Sequence, residues 1–271
     1  MKKKITSQQS HNKSLKTFYQ YALLVLLLIL GSLVVRVVFI WQQNLYNPGH
    51  HFTVAIVRQG LAKEIISFNP AIPSISVLKI QDAHVAYSTL AKQYGITADA
   101  YITSTENSLP SVSTLLGATA FHGNGVQTNM TFFDSIRLLL LAKNVTANNK
   151  ITDTIKLAKS NSATNTVIAR ALTDPDISRE SISIQIINAT DVSGMGQRLG
   201  RVLTNMGANV VDVSTARETQ QMTTIAYFGN ESYTLQRLEK LLHVKASLLT
   251  KQQIANIVIT IGENDRDTTT F

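Results

Sequence analysis

The sequence predicts a mixed α/β protein, α+β in its layering, carried behind one N-terminal transmembrane helix. Three observations predict this. Residues 21–41 form an unbroken apolar run with Arg36 as its only charge. Beyond it, short β-like segments alternate with segments of helical period. The final third orders them as strand, helix, strand, strand, helix, strand, the pattern of a two-layer βαββαβ domain.

The apolar run comes first. At ~1.5 Å per residue, a helix of this length crosses the ~30 Å hydrocarbon core of a bilayer. Lys2, Lys3, Lys4, Lys13 and Lys16 precede it, with no acidic residue. The positive-inside rule then keeps residues 1–20 in the cytoplasm as a basic tail and sends everything after Trp41 outside. A cleaved signal has an apolar stretch of ~7–15 residues and a small-residue cleavage site. Here the run is longer, and Gln42-Gln43-Asn44 follows Trp41. Residues 21–41 are therefore expected to be an uncleaved signal anchor, single-pass, with the bulk of the chain extracytoplasmic. Arg36 lies near the outer end, where a long side chain snorkels to the interface. Trp41 and Tyr46 suit the interfacial aromatic belt.

The formal charge of +8 divides unevenly. Residues 1–41 hold six of the basic groups and no acids, while the remaining residues carry 19 basic and 17 acidic groups. The excess is a topology signal rather than a phosphate-binding face, so nucleic acid is not an expected partner. Cysteine is absent, which excludes disulfides, thiolate metal sites and cysteine nucleophiles. An outside domain of this kind must stabilise itself by its core.

Residues 42–51 read as a linker. Short strands are expected at 52–57, 64–68 and 74–80, with Pro70 and Pro73 punctuating the last gap. A helix is expected over 87–94, closed by Gly95, and a strand over 99–104. Residues 131–144 read as a helix capped by Thr131, with Phe132, Phe133, Ile136, Leu139 and Leu140 as its apolar stripe. Residues 144–180, rich in Asn, Thr, Ser and Lys, read as a connecting region with helix near 152–159 and 164–172.

The C-terminal part is more regular. Residues 183–187 alternate as a strand. Ser193 caps an expected helix running to Met206, and Gly207 ends it. Strands are expected at 209–214 and 223–228, a helix at 232–242, and an apolar strand at 254–261. The two helices are expected on one face of an open sheet, in the ferredoxin-like manner. Residues 265–271 read as a polar tail.

Several suggestive patterns carry little chemistry. Gly194-Met195-Gly196-Gln197-Arg198-Leu199-Gly200 imitates a dinucleotide fingerprint. Its glycine spacing is GxGxxxG, and residues 188–193 separate it from the strand end, so the tight turn toward a pyrophosphate is missing. His50-His51 has no third ligand nearby and reads as an exposed linker pair. No Gly-x-Ser-x-Gly elbow accompanies the serines. Neither a metal nor a cofactor is expected.

Residues 182–265 carry a resemblance. Ile184-Gln185-Ile186-Ile187-Asn188-Ala189-Thr190, Ser193-Gly194-Met195-Gly196, Leu203-Thr204-Asn205-Met206-Gly207-Ala208, Thr223-Thr224-Ile225-Ala226-Tyr227 and Ile259-Thr260-Ile261-Gly262-Glu263-Asn264-Asp265 follow in order. This stretch resembles the C-terminal domain, LytR_C, that follows LytR-CpsA-Psr (LCP) cell-wall proteins. Ala189 stands where that family has Gly, and Met195 where it has Leu.

Residues 52–143 resemble a shortened, divergent LCP core, through the three strand segments and Gly95-Ile96-Thr97-Ala98-Asp99-Ala100-Tyr101. The resemblance implies a polyprenyl-pyrophosphate phosphotransferase. Members clamp the pyrophosphate with arginines, beside an acidic residue and a divalent metal. Here the Ile-Pro-Arg-Asp segment of the family is Val77-Leu78-Lys79-Ile80. Lys lacks the bidentate fork of Arg, and Ile ligates no metal. Leu61-Ala62-Lys63-Glu64 replaces the Arg-Ser-Asp segment, and 52–143 holds two arginines, Arg58 and Arg137. Catalytic residues are therefore not expected.

The anchor, the resemblance and the missing catalytic groups together predict a membrane-anchored protein of the bacterial envelope, non-catalytic, binding wall glycan or an envelope partner through its C-terminal domain. Asn188, Thr190, Ser193, Thr223, Thr224 and Tyr227 are the candidate contacts, with turn capping and strand packing as their structural alternative. Two further readings stand beside it. One is a divergent glycopolymer phosphotransferase using Lys79 with Asp82 or Asp99. The other is a scaffold for envelope assembly. The expected partners are the membrane, peptidoglycan or a wall glycopolymer, and envelope proteins.

Overall fold

The computed structural model describes residues 5–81, 85–105, 111–121, 123, 125–156, 162–251, 254–268 and 270–271. The chain divides into two units, Met1–Asn44 and Leu45–Phe271. The first is one helix, α1 (Ile5–Gln42). Its stretch Phe18–Gln42 is long and apolar enough to cross a membrane. That property suits an anchor or a signal equally.

The second unit contains two mixed sheets. In chain order its first part holds β1 (Phe52–Arg58), β2 (Leu61–Asn69), β3 (Ser74–Ile80), α2 (Leu90–Tyr94), β4 (Ala100–Ser104), α3 (Val112–Ala120), β5 (Val126–Thr128), α4 (Phe132–Asn144), β6 (Lys150–Ile155), α5 (Ser162–Leu172) and α6 (Pro175–Glu180). The sheet order is β5-β4-β1-β2-β3-β6. β1 and β2 form a hairpin through Gln59 and Gly60, both at positive φ (48° and 76°), the conformation that a two-residue hairpin turn demands.

Side-chain alternation splits this sheet between two cores. Phe52, Val54 and Ile56 of β1 pack with Leu115, Leu116 and Leu138 from α3 and α4. Ala55 and Val57 pack the other way, with Leu90, Ile168 and Leu172 from α2 and α5. Both faces are covered, which explains why β1 reads as a continuous apolar run.

Two expectations fail here. Residues 150–155 form strand β6, parallel to β3, rather than a helix over 152–159. A place beside β3 supplies ladder hydrogen bonds that outweigh the weak local preference of this polar segment. Residues 157–159 lie outside the described residues. In α4 the buried face is Asp134, Ser135, Leu138 and Ala142, while Phe132 and Leu140 are exposed. The rotation follows from the capping box. Asp134 closes it with Thr131, and the same carboxylate accepts the amides of Leu45 (3.1 Å) and Tyr46 (3.0 Å). Burying those bonds turns Asp134 inward and the neighbouring Phe132 outward.

The last part holds β7 (Ser183–Asn188), α7 (Met195–Asn205), β8 (Asn209–Thr215), β9 (Thr224–Tyr227), α8 (Tyr233–Leu242), β10 (Ala246–Leu248) and β11 (Ile257–Ile261). α7 and α8 share one core with the sheet, through Leu199, Leu203, Leu235, Leu238, Ile186 and Ile259. The sheet order is β10-β9-β11-β7-β8. β7 and β8, joined by α7, lie side by side and parallel, as do β9 and β10, joined by α8. The element order is the expected one with β10 added. The ferredoxin-like strand arrangement is not found, because each helix returns the chain to the neighbouring position. Ser193 does not cap α7. Gly194 does so in the left-handed region, without a side-chain bond. Phe271, in the segment read as a polar tail, is 1% exposed and joins this core.

Candidate functional site

The two sheets of the Leu45–Phe271 unit meet along helices. α2 ends in left-handed Gly95, and its last carbonyls need donors from outside the helix. α7 supplies them. Arg201 Nη1 donates to Gln93 O (2.6 Å), and Asn205 Nδ2 donates to Tyr94 O (3.2 Å) and Gly95 O (2.9 Å). A Cβ on Gly95 would stand 2.7 Å from Arg201 Cγ. Gly95 therefore serves both the helix stop and the close approach of α7.

Beside this contact lies a buried charge cluster. Arg237, in the middle of α8, forks onto Asp99 through Nη1 (2.7 Å to Oδ1) and Nη2 (3.4 Å to Oδ2). Their side chains are 13% and 9% exposed. Asp99 Oδ2 also accepts the amide (2.9 Å) and hydroxyl (3.1 Å) of Thr53. Burial pushes the Asp99 carboxyl up, but the guanidinium charge and these hydrogen bonds overcome it and hold it below its usual range. Burial likewise opposes the charge on Arg237, and Asp99 beside it reverses the balance and raises its pKa.

Asp174 is the second carboxylate. It caps α6 by accepting Asp176 N (3.0 Å), accepts the Tyr233 hydroxyl at 2.7 Å, and lies 3.8 Å from Arg237 Nε. Burial, together with this anionic neighbour, raises the Tyr233 phenol. His50 stacks on the Tyr233 ring with centroids 4.3 Å apart and meets Asp176 at 3.1 Å. His51 is 5% exposed. Its Nε2 contacts Ser67 Oγ at 2.5 Å, while Nδ1 has no hydrogen-bond partner among the described residues. Burial lowers its pKa. The histidine pair is therefore packed at the junction rather than exposed in a linker. Pro48-Gly49 turns the chain just before them, and β1 carries the run inward.

Of these groups His51, Thr53, Asp99, Asp174 and Arg237 border a cavity of about 400 Å³ between the two sheets. Tyr87, Ser88, Ile96, Leu241 and Lys240 complete much of its wall. Lys240 Nζ donates to Leu45 O at 3.0 Å, and burial lowers its pKa.

Of the six positions read from sequence, five lie at one end of the second sheet and Tyr227 at the other. Asn188 and Thr190 lock the turn after β7, where Asn188 Oδ1 accepts the Thr190 hydroxyl (2.8 Å) and Asn188 Nδ2 donates to Val192 O (2.9 Å). Thr223 lies at the same end of the sheet, its Oγ1 accepting Gly262 N at 2.9 Å. Ser193 and Thr224 there are exposed. Tyr227 stands at the opposite end of β9, paired with Ile257 and packed on the core.

The phosphotransferase set is also dispersed. Lys79 pairs across strands with buried Glu64 (4.0 Å), Ile80 is core, and Asp99 belongs to the junction. Asp82 lies outside the described residues.

Comparison with protein families reaches the second sheet. Residues 181–264 match LytR_C, the LytR cell envelope-related transcriptional attenuator. The match begins just before β7 and ends just after β11, so LytR_C supplies one wall of the junction and marks this as a cell-envelope-related protein. Comparison with curated proteins and with solved structures found no match. Sequence reading located LytR_C but missed the junction. Arg237 and Asp174 had no pattern to reveal them, and the one signal available was the His50-His51 pair directly before an apolar strand.

Proposed function

We propose that this chain is a single-pass, extracytoplasmic envelope protein with an LCP-like first half, and that its Leu45–Phe271 unit binds cell-wall glycan without turning it over. The LytR_C match and the apolar Phe18–Gln42 helix support the compartment.

One observation carries the non-catalytic part. The guanidinium at the junction faces carboxylates of its own chain: Asp99 takes both terminal nitrogens (2.7 and 3.4 Å), and Asp174 lies 3.8 Å from Nε, which makes no hydrogen bond among the described residues. A phosphoryl clamp needs a guanidinium whose donors are open to the ligand. Lys79, where the resembling family has arginine, faces Glu64 instead. The same geometry favours the junction over the six polar positions as the place of contact, because Asn188 and Thr190 are bonded within their own loop and Thr223 is bonded to Gly262 of the loop after β11.

The test is co-sedimentation of the full chain, in detergent, with isolated peptidoglycan sacculi. Saturable pelleting supports the reading. No pelleting, with an envelope protein co-purifying instead, moves it to an assembly scaffold. Metal-dependent turnover of a polyprenyl pyrophosphate, lost in Lys79→Ala, replaces it with the enzyme.

A further inference from the structure

We propose that the junction cavity is the binding site for one neutral, pyranose-sized sugar residue, an N-acetylhexosamine in the wall setting. This rests on the glycan-binding reading and names the part of the unit that performs it.

Size comes first. About 400 Å³ falls within the ~300–1,000 Å³ span of small-molecule sites. Charge comes next. Asp99 and Asp174 face Arg237, and Lys240 is a second cation on the wall, so carboxylates and cations balance. Such a wall has no surplus positive charge to hold a phosphate, and none of either sign to repel a neutral ligand. The lining then mixes apolar surface, Ile96, Leu241 and the Tyr87 ring, with polar termini. A pyranose presents the complementary mixture, with C–H faces between hydroxyls.

An unsatisfied group completes the argument. His51 is buried in this wall, its ring oriented by Ser67 Oγ, and its Nδ1 has no hydrogen-bond partner among the described residues. Leaving such a group unpaired forfeits its hydration, a loss that a ligand hydroxyl recovers. Lys240 Nζ carries three protons and donates one to Leu45 O, so it retains donors for a second hydroxyl.

The experiment titrates N-acetylglucosamine into the full chain in detergent by saturation-transfer NMR, with inorganic phosphate, followed by the broadening of its phosphorus resonance, as the anionic control. Ser88 is exposed at the cavity wall. Ser88→Phe plugs the opening without removing a buried bond, and His51→Leu removes the unpaired ring nitrogen. We expect saturable sugar binding, no phosphate binding, and affinity at least about tenfold weaker in Ser88→Phe with its melting temperature unchanged. The absence of a saturable sugar signal overturns the inference, as does phosphate binding or binding indifferent to both substitutions. If sacculi still pellet the protein in that case, only the cavity assignment falls and glycan binding stands. If pelleting is also absent, both fall.

Discussion

Arg237 of α8 grips Asp99, at the entry to β4, through a two-pronged ion pair whose shorter arm is 2.7 Å. The helix that carries Arg237 packs on the second sheet and Asp99 leads into a strand of the first, 138 positions apart in the chain. The pair welds the LytR_C domain to the part of the unit that precedes it.

Removing the cation leaves the buried carboxylates of Asp99 and Asp174 with their hydrogen bonds but without their ion-pair partner. Breaking a buried pair from one side costs about 3–5 kcal/mol. Arg237→Ala should lower the stability of the unit by that order in denaturant unfolding. Adding Asp99→Asn should recover part of the loss, because the stranded charge is then gone. Additive losses in the double variant would show that the two residues are not coupled.

Stability should fall in two stages with pH. His51 has a folded pKa lowered by burial below its ordinary 6.5. Below that ordinary value the unfolded chain binds a proton that the folded one refuses, so stability is full above it and drops as the solution is acidified toward the lowered folded value. Asp99, also lowered, contributes stability that is present above its ordinary 3.8 and is lost as pH falls through its folded value. Melting curves should therefore show a first decline just below neutrality that His51→Gln removes, and a second in strong acid that it does not.

Gly95 should not tolerate a side chain. Its φ of 66° costs a non-glycine residue roughly 1–2 kcal/mol, and the added Cβ would also meet Arg201 Cγ at 2.7 Å and the Arg201 carbonyl carbon at 3.1 Å. Gly95→Ala should lower the melting temperature and raise hydrogen exchange in both α2 and α7. Gly117 in α3 is the control, with open space around its would-be Cβ. Gly117→Ala should be neutral or stabilising by about 0.5–1 kcal/mol.

Asn188 should matter to folding more than to binding. It is 4% exposed and makes three bonds that shape the turn into α7. Asn188→Ala should cost about 1–3 kcal/mol while sacculus affinity per folded molecule stays constant. Loss of affinity at unchanged stability would return the contact to that loop.

What the sequence made legible follows a physical rule. Segments whose pattern is local and repetitive, such as β3, β7 and α8, appear where periodicity places them. β6 was hidden because its strand character comes from pairing with β3, seventy-odd positions away. The buried face of α4 was misread because Asp134 is drawn inward by the amides of Leu45 and Tyr46, a bond that periodicity does not encode. The junction was hidden for the same reason. Arg237 sits among Leu235, Leu238 and Leu242 on a helix that reads as simply amphipathic, and its partners lie on other elements.

The decisive measurement compares residues 45–271 with residues 181–271 on isolated peptidoglycan sacculi, with the fold of each checked by circular dichroism. If the junction between the sheets forms the site, the longer chain pellets saturably. The LytR_C domain alone, lacking Asp99, His51 and the α2 wall, should then bind at least about tenfold more weakly. Equal affinity for a folded 181–271 would contradict the account and place recognition within LytR_C itself.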